Sequence, residues 1–179
     1  MLRAAKEKFE RFGFKKTTVD EIASGAGISK RTLYEMFDSK ERLLSDLVMS
    51  EALTIRRSIL NELKHTDDPL AKLYTFTRRA SEYFEQNPFL GKVLSDEAGL
   101  FVPFLKKEIR LIEEGIEEIY AAILREGTDR GVFRQMDEEA TASCIFALFR
   151  SFTYAKTLKP NGAWVQFILN AILADHKAS

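Results

Sequence analysis

Along the 179 residues, apolar side chains recur at steps of three and four, and no convincing run alternates with a period of two. That spacing predicts an all-α protein. Leu2, Ala5, Phe9 and Phe12 give one apolar face to a first helix, and Gly13 follows where a left-handed terminating residue is wanted. Thr18 can accept from the amides that open the next helix while Glu21 reaches back to the cap, so a second helix starts near Val19. Gly25 and Gly27 end it, Ser29 can cap a third helix, and Asp38 or Ser39 a fourth that runs to about Leu63. The polar break "HTDDP", 65 to 69, ends in proline, which closes the fourth helix. Beyond it the pattern predicts helices over 69–86, 88–97, 101–128, 137–158 and 162–176, about nine in all. Ile109, Ile112, Ile116, Ile119 and Ile123 mark the long seventh one as a core helix, ended at Gly127 and Gly131.

The second and third helices are too short to hold a core of their own. Val19, Ile22 and Ala23 share a face, and Ile28 and Leu33 point into the same small interior. Ala23 is small where two steeply crossing helices come close, and Gly27 supplies the positive φ that the tight turn requires. The unit is a helix-turn-helix, which serves either as a structural corner or as a reader of DNA. Ser29, Lys30, Arg31 and Thr32 occupy the first turn of the third helix, where short or cationic side chains reach base edges and phosphates. Tyr34 lies one turn after Arg31 and can donate to a phosphate, and Lys40 opens the fourth helix where another can be held.

Charge adds little, with 27 basic and 27 acidic residues overall. Residues 1–48 hold ten Lys and Arg against eight Asp and Glu. Glu35 sets an acid beside Tyr34, so it must turn away or pair with Arg31 four residues earlier. So few cations bind weakly as one module, which calls for a dimer.

Chemistry for catalysis is sparse: His65 lies beside a loop, His176 near the end, and Cys144 on an apolar helix. No metal spacing, phosphate-cradling glycine loop or placed nucleophile is present, and no cofactor is implied. The lone cysteine has no disulfide partner, no secretory pattern opens the sequence, and no apolar run approaches a membrane span. A cytoplasmic protein without a membrane partner is expected. Three classes remain: a reader of double-stranded DNA, a helical adaptor that binds protein through the same surface, and, third, an enzyme.

The stretch "GFKKTTVDEIASGAGISKRTLYEMFDSKERLL", 13 to 44, resembles the DNA-binding domain of the TetR (tetracycline repressor) family of bacterial transcriptional regulators. The resemblance rests on the helix-one face, Gly13, the Thr-Val-x-x-Ile-Ala run, Gly27 to Ser29, Leu33-Tyr34, Phe37 and Ser39-Lys40. It implies a three-helix DNA-binding domain at 1–48, joined by a long helix to an effector-binding and dimerisation domain at 49–179. It also implies that Thr18 and Lys40 hold phosphates, that Ser29, Lys30, Arg31 and Thr32 read or border bases, and that Tyr34 contacts backbone. Glu35-Met36 departs from the family's common form, where basic or aromatic residues are frequent.

Further along, the apolar surface of the last two helices, with Phe149, Phe152, Trp164, Phe167, Ile168 and Ile172, calls for a partner. The resemblance implies the same homodimer, as a four-helix bundle. Two recognition helices would then lie about 34 to 36 Å apart on a near-palindromic operator. A central cavity for a small-molecule effector is implied among aromatic helices, with Tyr83, Phe84, Phe101, Phe104, Tyr120 and Phe149 as lining candidates, and Arg78, Arg79 and Arg150 for an anionic group. An effector that prefers a conformer with mismatched spacing would release DNA, with the fourth helix as the lever. The sequence thus reads as a repressor of this type.

Overall fold

The computed structural model describes residues 1–95, 102–153 and 163–173. Over them the chain forms helices α1 (Leu2–Phe12), α2 (Val19–Gly25), α3 (Lys30–Met36), α4 (Lys40–Leu63), α5 (Pro69–Gln86), α6 (Pro88–Ser95), α7 (Val102–Asp129), α8 (Glu138–Thr153) and α9 (Ala163–Ile172). The extended pairing among the described residues is an isolated antiparallel bridge between Phe133 and Leu173. No helix among them is long and apolar enough to cross a membrane.

Side chains set the helix starts. Asp68 accepts from the Ala71 amide at 3.0 Å and opens α5, whose first residue, Pro69, has no amide hydrogen to satisfy. Asp137 accepts from the Ala140 amide at 2.9 Å, so it stands before α8 as its cap rather than inside it. Gly13 has φ 81° and ψ 155°, a combination that favours glycine but differs from the left-handed helical cap suggested by the pattern.

The chain divides into two compact units, the first made of Met1–Thr54 with Asn87–Ile109, the second of Ile55–Gln86 with Arg110–Ser179. In the first, Ala5, Phe9, Ile22, Leu33, Leu43 and Leu44 are buried with Leu90 and Val93 of α6. Phe89 stacks on Phe9 at 6.4 Å between ring centres, and Phe104 lies 6.0 Å from Phe14. Asn87, itself buried, donates to Glu51 at 2.6 Å, and Lys6 pairs with the same carboxylate oxygen at 2.6 Å. One acid on α4 is thereby tied to α1 and to the residue before α6.

In the second unit, Ile112, Ile119, Tyr120 and Leu124 of α7 are buried, as are Ile145, Phe146 and Phe149 of α8, with Phe76 of α5 against Tyr120 and Phe84 of α5 against Phe149. Tyr120 meets Phe76 edge-on at 4.8 Å, and its hydroxyl lies 3.1 Å from that of Thr77. Burial pushes the Tyr120 phenol far above its ordinary range.

Candidate nucleic-acid interface

The helix-turn-helix is built by two kinds of cap. At the start of α2, Thr18 and Glu21 form the complete capping box: the Glu21 amide donates to the Thr18 hydroxyl at 3.3 Å, and the Thr18 amide donates to the Glu21 carboxylate at 2.8 Å. The Thr18 amide, together with the Thr18 hydroxyl that also donates to it, holds the Glu21 carboxyl below its usual value. At the end of α2, the Ile28 amide donates to the Ala23 carbonyl at 3.0 Å and the Gly27 amide to that of Ser24 at 3.1 Å. With φ 68° at Gly27, this is a Schellman motif. It reverses the chain and presents Ser29, whose hydroxyl accepts from the Thr32 amide at 3.0 Å and opens α3.

The two ends fix the roll of α3. Leu33 is fully buried, while Ser29, Lys30, Arg31 and Tyr34 are exposed and Thr32 is half-buried. Phe37 is half-buried. The exposed cations already have partners. Lys30 pairs with Asp20 of α2 at 2.9 Å, a hydrogen bond that holds its ammonium above the ordinary lysine value. Arg31 donates to Glu35 at 2.9 Å, the i to i+4 pairing expected from the spacing.

Beside α3 lies a cleft of about 440 Å³, whose lining includes Lys15, Thr17, Thr18, Tyr34, Ser39 and Lys40. Thr18, Tyr34 and Lys40 thus line one cleft, and Lys30 and Arg31 are not among its lining residues. Lys40 is more occupied than its position in sequence suggests. Its ammonium donates to the carbonyls of Phe14 and Thr17, each at 2.9 Å, and rests 4.4 Å from the centre of the Phe14 ring. Thr17 is buried and donates to the Gly13 carbonyl at 2.8 Å. Sequence reasoning missed Lys15, Thr17 and Asp20. The paired lysines and threonines of "KKTT" just ahead of a cap were the available signal for the first two.

The other candidate residues are more dispersed. Tyr83, Phe84 and Phe149 form a chain of rings, 6.0 Å from each to the next, and Tyr120 and Phe149 are fully buried in the second unit. Phe104 is not with them: it belongs to the first unit, half-exposed against Phe14. Phe101 lies outside the described residues, as do the side chain of Trp164 and all of His176. Arg78 and Arg79 pair with Glu62 and Glu82, and Arg150 lies 3.5 Å from Glu113, so none is aimed at an unmatched cavity.

Of the expected dimer face, Phe149, Ile168 and Ile172 are buried within their own chain, while Phe152 is half-buried and Phe167 is 67% exposed.

A family model for the tetR family of bacterial regulatory proteins matches residues 1–47. The chain is 24% identical over 153 residues to the HTH-type transcriptional regulator YhgD of Bacillus subtilis, covering 83% of this chain and 78% of that one. It is 30% identical over 139 residues to the nucleoid occlusion factor SlmA of Escherichia coli, covering 75% of this chain and 69% of that protein. The crystal structure of the regulator FadR from Bacillus subtilis, in complex with stearoyl-CoA, shares the fold with a TM-score of 0.76 at 21% identity, over 94% of each chain. With its capped, outward-facing third helix, the chain belongs to the tetR family of bacterial regulatory proteins, as a regulator of transcription that binds DNA and is not an enzyme.

Proposed function

We propose that this chain is a cytoplasmic repressor that binds a near-palindromic operator as a homodimer and is released by a small-molecule effector. The observation that carries the reading is the pairing of the Schellman turn at Gly27 with the Ser29 cap, which buries Leu33 and leaves Ser29, Lys30, Arg31 and Tyr34 facing solvent. In the complex, Ser29, Lys30, Arg31 and Thr32 meet base edges in the major groove, and Thr18 and Tyr34 border the backbone, with Lys40 in the cleft they share. Residues 1–48 read DNA, and 49–179 hold the effector and the partner. Phe167 and the half-buried Phe152 are the apolar surface that a second copy would cover. The fold likeness to a regulator crystallised with stearoyl-CoA supports an effector site in the helical half. By linkage, an effector that weakens operator binding is itself bound more weakly by the DNA-bound protein, by the same factor.

Selection from a random duplex pool tests this directly. The expected product is an inverted repeat with half-site centres about 34 to 36 Å apart. A pool that never enriches would sink the reading, and a single unpaired half-site would remove its dimer.

A further inference from the structure

The cleft beside α3 contains two lysines in opposite situations. Lys40 spends two of its three ammonium donors on the Phe14 and Thr17 carbonyls and lies over the Phe14 ring. Lys15 is exposed and makes no hydrogen bond or ion pair among the described residues. Asp38 and Glu41 line the same cleft, so its two cations face two acids. Without Lys15, the remaining charge would be negative even with Lys40 in place. The hydroxyl of Thr18 donates to Glu21, that of Ser39 accepts from the Arg42 amide, and no hydrogen bond holds that of Tyr34 among the described residues.

From this geometry we propose that the two lysines divide the work: Lys15, with the Tyr34 hydroxyl, binds the DNA phosphate, and Lys40 is a positioning residue that holds the cleft's wall. The inference rests on the DNA-binding reading above and deepens it. Lys40 joins the start of α4 to the loop that carries Phe14, Lys15 and Thr17, immediately before the Thr18 cap. Drawing its ammonium out to a phosphate would remove both carbonyl partners and the ring beneath it. Drawing Lys15 to a phosphate breaks nothing. A carbonyl-bound lysine over an aromatic face sets where the loop lies, and the loop sets where Lys15 points.

The slope of log affinity against log salt separates the roles, because each lost phosphate contact makes it shallower by about 0.9, hence by about 1.8 for a dimer. Lys15→Ala is expected to weaken operator binding and flatten the slope by that amount, with an unchanged melting midpoint. Lys40→Met is expected to weaken binding at every salt concentration with the wild-type slope, and Phe14→Leu, which keeps the lysine charge, to do the same. If Lys40→Met does not fold, reductive methylation of the wild-type protein read by mass spectrometry decides: Lys15 should react when free and be protected by operator DNA, and Lys40 should react slowly in both states. A slope flattened by Lys40→Met with Lys15→Ala silent, or a Lys40 that reacts readily until DNA protects it, overturns the proposal. Wild-type protein with no salt-dependent binding would instead overturn the DNA-binding reading itself.

Discussion

Glu35 sets the energetics of the α3 surface. Its carboxylate accepts from Arg31 at 2.9 Å, and Asp20 does the same for Lys30, so under the proposed function both cations exchange an internal acid for DNA. All four side chains are at least half-exposed, so solvent and salt screen both pairs and the exchange costs little. Glu35→Gln should therefore tighten operator binding, by roughly 1.5- to 5-fold at low salt, with a smaller gain as salt rises; a fluorescence titration that finds weaker binding would show that Glu35 orients Arg31 instead of restraining it. The Arg31 pairing was legible because four residues make one helical turn. The Lys30 pairing was not, since ten residues and a turn separate it from Asp20 and no period within one helix connects them.

Elements end here by backbone chemistry, and two of them end alike. Like α2, α7 closes in a Schellman motif: the Val132 amide donates to the Gly127 carbonyl at 2.9 Å, the Gly131 amide to that of Thr128 at 3.1 Å, and Gly131 has φ 69°. The sequence marks Gly127 and Gly131 together as the stop, yet Gly127 lies inside α7 and does a different job. A Cβ there would come within 2.0 Å of the Phe133 ring, which is 2% exposed and folds back after the turn. Gly27 has nothing within 4 Å of such a Cβ, so alanine there costs only the left-handed backbone, about 1 to 2 kcal/mol. Gly127→Ala should cost about 3 kcal/mol or more through overpacking, and urea denaturation that ranks it the milder of the two would contradict this account. Helix boundaries were readable because caps and glycines mark them locally. The return of Phe133 was not, because it depends on a contact that no local pattern encodes.

At the scale of the molecule, the DNA-binding stretch read from sequence and the unit that folds have different limits. The boundary read from sequence falls at residue 48, whereas the first compact unit continues to Thr54 and takes in Asn87–Ile109. Phe9 stacks on Phe89, Ser45 donates to Glu108 at 2.6 Å, and Asn87 shares Glu51 with Lys6. A fragment of residues 1–48 would lose every one of these partners, and should show partial helicity by circular dichroism with no cooperative melt. A sharp two-state transition in that fragment would show that α6 and the start of α7 are dispensable to it. Helices and their punctuation were legible along the chain, but which distant helix completes a small core depends on the path of the backbone between them.

The buried Leu33 and the exposed Lys30, Arg31 and Tyr34 share seven residues of helix yet answer to different demands. Because the hinge glycine and the serine cap fix how that short rod is turned, its outer letters can be rewritten without disturbing the scaffold beneath them. If that face reads DNA as proposed, such a scaffold would let new operator preferences arise one exposed side chain at a time without a loss of fold.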